Sequence, residues 1–402
     1  MDFAGMTIVS GRLWRRMAPW AGALPLAVAQ LWAMPARAGE TPPTLALAAE
    51  YIADVTVVAR APRTGTRYTD LLSLQADLSL DRAVGWTGAR LFAHGQIGFG
   101  QEPNRLADSL QGINNSEVSD NRARLFELYM EQAFTGPVPG SLRLGWSDLN
   151  AEFYATDSSG LLIAPAFGIG SELAATGANG PSIFPSAALG ARLRLEPADG
   201  AYVQAAAVNA RAGVIGDRGG VPPLLRDGAL AIAEAGIARG LRIALGGWRY
   251  TRRQDDLFRT DGAGRPRKRH AQGAYVLAEW PLPGGITPFL RAGISDGDTG
   301  PFSGGWQAGF LAEAPFAGRP DGQLSFGAAQ GMVGRSARRA AAAAGEPLRP
   351  RETGWELTYA DRLAPWLTVQ PDVQYIRRAG KAADPRDALV FTLRLTMGWS
   401  RD

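Results

Sequence analysis

The 402-residue chain has no cysteine and only two histidines, His94 and His270. The first absence excludes a disulfide framework and any thiolate metal site. The second leaves little for imidazole-ligated metals or acid–base catalysis. Neither histidine adjoins a nucleophile motif such as Gly-x-Ser-x-Gly, so a hydrolase has little to work with, and no cofactor is expected. The net charge is only +4. It is not gathered densely enough to mark a nucleic-acid reader. Beyond residue 38 no apolar run is long enough to cross a bilayer as a helix.

Glycine, at 50 residues, is well above its average share, and tryptophan, at 11, is also abundant. The first 38 residues have the three parts of a secretory signal. "RLWRR" (12–16) is basic, "MAPWAGALPLAVAQLWAMP" (17–35) is apolar, and "ARA" (36–38) places small residues before a cleavage site at Gly39. Pro19, Pro25 and Pro35 interrupt the apolar part and disfavour a membrane-spanning helix. No plug domain fits between Gly39 and the first strand, which argues against energy-coupled transport. An exported chain rich in glycine and aromatics, with short alternating apolar runs, predicts an all-β fold: the transmembrane antiparallel β-barrel of a bacterial outer membrane.

The alternation predicts sixteen strands, at 45–59, 70–81, 87–100, 123–135, 141–152, 186–196, 200–209, 227–238, 241–252, 272–281, 286–296, 304–312, 321–331, 352–363, 366–376 and 387–399. Short Gly/Pro-rich turns then alternate with connections that tend to be long and polar, the pattern of periplasmic turns and outward loops. Each strand has two faces. In 387–399, Leu389, Phe391, Leu393, Leu395, Met397 and Trp399 oppose Thr392, Arg394, Thr396 and Gly398. "LFELYMEQAF" (125–134) behaves alike: Glu127, Tyr129 and Glu131 share one register, and Phe126, Leu128, Met130 and Phe134 the other. A carboxylate aimed into lipid costs several kcal/mol, which sends the first set inward and the second outward. Trp146, Trp355, Tyr359, Trp366 and Trp399 lie near strand ends, where interfacial girdles form.

A barrel of about sixteen strands encloses an aqueous channel. The 153–185 connection carries Leu161, Leu162, Ile163, Phe167, Ile169 and Phe184, too apolar for a solvent loop, and is expected to fold into the lumen, with a cap outside the barrel as the alternative. Lumen-facing candidates to contact a solute are Glu127, Tyr129, Glu131, Arg143, Arg192, Arg194, Gln370, Asp372 and Gln374. The competing reading is that they are solvated wall residues paired across neighbouring strands. As a set, mixed acids and arginines suit a neutral polar solute, whereas an ion filter shows a ring of one sign.

Five segments, in order, resemble the carbohydrate-selective outer-membrane porins of the OprB type. They are "ELYMEQAFTG", "LRLGWSDLNAEF", "SGLLIAPAFGI", "FPSAALGARLRLEPADGAYVQAAAVN" and "ETGWELTYADRLAPWLTVQPDVQYIRRAG". The resemblance covers about 71–209 and 352 to the end. It implies passive diffusion of sugars through a sixteen-stranded barrel with an inward loop at the constriction. It also adds Asp148 and Asn150, in the run from the fifth strand into that loop, to the candidates. The expected partners are carbohydrate solutes, outer-membrane lipid and lipopolysaccharide, and the barrel-insertion machinery. Homo-oligomerisation stays open, as do a general pore or one for anions or organic acids. Two features depart from the family. Ser400, Arg401 and Asp402 follow the terminal aromatic Trp399, which weakens the signal read by the insertion machinery. The basic loop 335–351, "RSARRAAAAAGEPLRPR", has no counterpart; its arginines suit lipopolysaccharide phosphates or a solvated surface.

Overall fold

Two-residue alternation gives every strand one wettable and one greasy face, and closing the sheet removes its edges. In the computed structural model, which describes residues 43–401 apart from 219, 223, 224, 379 and 381–385, sixteen strands close into an antiparallel barrel. They are β1 (Leu45–Arg60), β2 (Gly65–Ser79), β3 (Ala89–Gly100), β4 (Arg122–Phe134), β5 (Gly140–Ser147), β6 (Ala188–Ala198), β7 (Ala201–Asn209), β8 (Ala229–Arg239), β9 (Leu241–Tyr250), β12 (Gln272–Glu279), β13 (Ile286–Ser295), β14 (Phe302–Glu313), β15 (Gln323–Val333), β16 (Arg351–Ala364), β17 (Leu367–Arg377) and β18 (Ala388–Arg401). Every one of the sixteen expected strands is present. The signal segment read at 1–38 lies outside the described residues. The seam joins β1 to β18, where Asp54 pairs with Arg394 inside the wall at 2.7 Å.

The outer face is an apolar belt. Leu245 is 66% exposed, Ile294 67% and Leu393 46%. That much exposed aliphatic surface is stable only against lipid. Among the described residues no helix is long and apolar enough to cross a membrane; the crossing is made by strands. The five longest connections, 101–121, 148–187, 210–228, 251–271 and 334–350, all emerge at the same end.

The structure departs from the simple alternation at five places. Phe126 does not face lipid. A bulge opposite His94 and Gly95 puts an extra residue into β4, so Phe126 and Glu127 both turn inward. Phe126 is 2% exposed and packs edge-on against Phe184 of the inward loop, with ring centroids 5.8 Å apart. The fifth strand stops at Ser147, because the Asp148 side chain accepts the Asn150 amide and starts a 3-10 turn, Leu149–Ala151. The 251–271 connection folds into a hairpin, β10 (Gln254–Thr260) with β11 (Pro266–Arg269), and the basic loop 335–351 begins with the helix Arg335–Ala343. Finally, Asp70 of β2 sits on the lipid-facing register. It is tolerated because its carboxylate accepts the Tyr51 and Tyr68 hydroxyls at 3.0 and 2.9 Å and the Phe99 amide at 3.2 Å.

Candidate functional site

A loop inside a barrel must satisfy its backbone with wall side chains, since it has no ladder of its own. The 153–185 loop does this with residues from five strands. Arg291 of β13, fully buried, donates to the carbonyls of Tyr154, Gly168 and Ala166 at 3.1, 2.7 and 3.2 Å. Glu356 of β16 accepts the amides of Ile163 and Ala164. Glu279 of β12 accepts the Ser158 amide and hydroxyl at 3.0 and 2.8 Å. Glu234 of β8 accepts the Tyr154 amide at 3.0 Å, and Gln370 of β17 donates to the Leu161 carbonyl at 2.7 Å.

Between these anchors the loop's apolar side chains meet a wall that is itself apolar. Phe153, Tyr154 and Leu173 pack with Ile232, Trp248 and Tyr275 in one buried cluster, and the Tyr154 and Tyr275 rings stack 4.0 Å apart. Burying several such residues contributes roughly 1.5–3 kcal/mol each. Glycines let the loop lie flat on the wall. A Cβ on Gly327 of β15 would stand 2.5 Å from Phe167 and 2.7 Å from Leu162. One on Gly293 of β13 would collide with Glu172. Gly293→Ala is expected to lift the loop, and limited proteolysis of the reconstituted variant should cut between 153 and 185 where the parent resists. Equal resistance would show that Glu172 simply swings away.

A second loop, 101–121, also turns inward, although its polar composition reads as an outward loop. Leu106, Ala107 and Ile113 pack with Val58, Ile376 and Val390. Asn114 and Ser116 donate to Asp54, each at 2.7 Å, and Gln374 donates to the Ile113 carbonyl at 2.9 Å. Glu117 in this loop is 4% exposed and accepts the Asn104 amide at 3.1 Å. Burial pushes its carboxyl from the ordinary 4.5 up to about 8. The folded state thus holds a proton that the unfolded chain releases above 4.5. The stability this group contributes is complete below 4.5 and is lost as pH rises through 8. Amide exchange across 101–121, corrected for intrinsic rates, should be faster at pH 9 than at pH 5. Glu117→Gln should remove the difference; a difference that survives it would assign the pH effect to another group.

The sequence candidates separate into two groups. Gln370 and Gln374 spend their amides on loop carbonyls. Asp372, 5% exposed, accepts from Gln374 at 3.1 Å. Glu127 accepts the Asp148 amide at 2.9 Å and faces His94 Nδ1 at 3.2 Å. Burial and the Glu127 carboxylate push the Asp148 carboxyl well above its usual range. Asn150 donates to the Gly168 carbonyl at 3.0 Å. These residues position loops.

The other group forms one network across β2–β7. Glu131 accepts from Arg90 at 2.6 Å, Arg143 at 2.9 Å and Arg192 at 2.8 Å. Arg192 reaches Glu152 at 2.6 Å, and Arg90 reaches Asp77 at 2.5 Å. Burial pushes the Glu152 carboxyl up, but Arg143 and Arg192 outweigh it and hold the group below its usual value. The Arg143 guanidinium lies 4.1 Å from the Tyr129 ring centroid, and that of Arg194 4.4 Å from Tyr202. Arg194 also donates to Glu196 at 3.0 Å and Gln204 at 3.2 Å. Arg90, Glu152 and Asp77 escaped the sequence reading. Arg90 shares a strand face with His94 and was findable by parity; Glu152 lies in the "GWSDLNAEF" segment.

A closed barrel with a lipid-compatible outside, an ion-paired inner wall and a loop folded across its lumen defines an outer-membrane diffusion porin, a channel. The model of the carbohydrate-selective porin, OprB family, matches residues 63–398, and the chain belongs to that family. It is a porin of the bacterial outer membrane for passive diffusion of carbohydrates, narrowed by the 153–185 loop. Among solved structures it is similar to OprB of Pseudomonas putida at high pH, with 19% identity over 89% of this chain and 94% of that one and a TM-score of 0.77. The outer membrane channel DcaP of Acinetobacter baumannii follows the same fold, with 9% identity, coverage of 88% and 97%, and a TM-score of 0.57. No curated protein sequence matches the chain.

Proposed function

We propose that mono- and small oligosaccharides cross between the 153–185 loop and the β2–β7 wall, and that they meet Arg90, Tyr129, Glu131, Arg143, Glu152, Arg192 and Arg194 there. The observation that carries this reading is the charge balance of the network. Three arginines (Arg90, Arg143, Arg192) face three carboxylates (Asp77, Glu131, Glu152). Such a surface offers donors and acceptors side by side to hydroxyl groups and attracts neither ion strongly. The side chains that keep some exposure are Arg90 at 24% and Arg194 and Glu152 at 17%. The Tyr129 and Tyr202 rings are buried beneath the Arg143 and Arg194 guanidinium groups and hold them in place.

Flux into proteoliposomes tests this. A neutral monosaccharide should enter faster than an amino acid or an organic anion of similar size, and its entry should saturate. Equal, unsaturable entry of all three would make the pore a general one and return the network to a structural role. Faster anion entry would favour an organic-acid porin. The signal segment is part of the same proposal: the chain recovered from outer membranes should begin at Gly39, and recovery of intact Met1 would refute processing there.

A further inference from the structure

We propose that the outer rim of the barrel over β16, β17 and β1 is a binding site for the phosphate groups of the outer-leaflet glycolipid, lipopolysaccharide, held by Arg60, Arg351 and Arg377. The three arginines occupy the outermost positions of their strands: Arg60 ends β1, Arg351 begins β16 and Arg377 ends β17. All three are exposed, and all three stand on the lipid-facing register. Arg351 is paired with Met332, which is 43% exposed on the apolar belt. Arg60 is paired with Leu389, on the face of β18 that carries Phe391 and Leu393. Arg377 follows Tyr375, itself 40% exposed, by two residues.

Arg377 is paired with Thr353, two residues from Arg351, and lies near Arg60. The Arg60 and Arg377 guanidinium groups both act electrostatically on the Tyr375 hydroxyl, although they come from strands with β18 between them. Tyr375 stacks against Trp355 of β16, with centroids 5.8 Å apart, which sets an aromatic pair just below the arginines. Aromatic rings of this kind mark the depth of the headgroups. Asp387 is a carboxylate at this rim. Its oxygens are taken up by the Tyr375 hydroxyl at 2.7 Å and by Arg349 at 3.7 Å.

Charge complementarity selects the occupant. Arginine on a lipid-facing register is costly at the bilayer centre and tolerable only at the interface, where an anion can meet it. The planar fork of arginine matches phosphate in a two-pronged contact. A sugar solute in the lumen never sees this face, so the site is independent of the pore's cargo. A basic residue near an anionic membrane surface is worth about fivefold in affinity.

The test uses the purified processed chain in detergent, titrated with fluorescent lipid A in its phosphorylated and dephosphorylated forms. The triple variant Arg60→Gln, Arg351→Gln, Arg377→Gln is expected to lose at least about tenfold in affinity for the phosphorylated form. A control with the same change in charge, Arg265→Gln, Arg267→Gln, Lys268→Gln at the tip of the β10–β11 hairpin, should bind as the parent does. The triple Arg→Lys variant, which keeps charge but not the fork, should fall between them and serves if the Gln variant fails to fold. Parental binding by the triple Gln variant would overturn the proposal. So would an equal loss in the hairpin control, or equal binding of dephosphorylated lipid. Full competition by millimolar inorganic phosphate would assign the site to the free ion and equally overturn it.

Discussion

In planar bilayers, Arg291→Met is expected to raise single-channel conductance several-fold and to abolish any preference for sugar over other solutes of its size. Arg291 is a wall residue that gathers three carbonyls of the constriction loop, from Tyr154, Ala166 and Gly168. Methionine keeps most of the volume but donates nothing. Two buried carbonyls, those of Tyr154 and Ala166, would then lack partners, at about 1–3 kcal/mol each, while that of Gly168 keeps the Asn150 amide. Opposing their release is the apolar packing of Phe153, Tyr154 and Leu173 against the wall. The loop has an alternative that a solid core lacks: the lumen is wet, and freed carbonyls regain hydrogen bonds by moving into it. The carbonyl cost therefore falls on the anchored state, and the loop should detach. Glu356→Gln should do less, because a glutamine oxygen still accepts one of the Ile163 and Ala164 amides. Unchanged conductance in Arg291→Met, with the barrel folded, would show that the apolar contacts and the remaining anchors Glu234, Glu279, Glu356 and Gln370 hold the loop without Arg291.

Arg192→Met should turn the pore cation-selective. Arg192 is 3% exposed and bridges Glu131, Glu152 and the Ser141 hydroxyl. Removing it leaves the network with three carboxylates and two arginines. Breaking a buried charge pair from one side costs about 3–5 kcal/mol, much of it from the carboxylates left behind. In the lumen these can recruit cations from solution, so the imbalance should appear in transport as well as in stability. The reversal potential across a salt gradient should shift toward the cation, and saturable monosaccharide entry should fall about tenfold. Glu131→Gln should move the reversal potential the opposite way. If both variants keep parental ion selectivity, the network lies off the permeation path and the proposed contact surface is wrong.

How far the site could be read from the chain depends on the range of the interaction involved. Glu127, Tyr129, Glu131, Arg143 and Arg192 were all placed inside by parity alone, because a strand's two faces are fixed by neighbours two residues apart. The same rule fails at Phe126. A single bulge inverts the register there, and the bulge is set by how β3 pairs with β4. Gln370 and Gln374 have the right parity, yet parity does not say what an inward side chain meets. Their partners, the Leu161 and Ile113 carbonyls, lie 209 and 261 residues away in sequence. Glu117 is beyond reach for the same reason: its buried state depends on a loop whose polar composition advertises solvent.

By itself the sequence determined the all-β outer-membrane barrel, its sixteen strands and, wherever no bulge intervenes, the face a strand presents to lipid; it favoured the inward course of the 153–185 loop. These follow from local alternation and from the cost of leaving apolar side chains in water. Only the tertiary structure decided which inward residues hold loops and which line the lumen. That division rests on hydrogen bonds such as Glu356 to Ile163, 193 residues apart. It is settled only when closure of the barrel brings both loops against the wall, where every buried carbonyl and amide must find a partner.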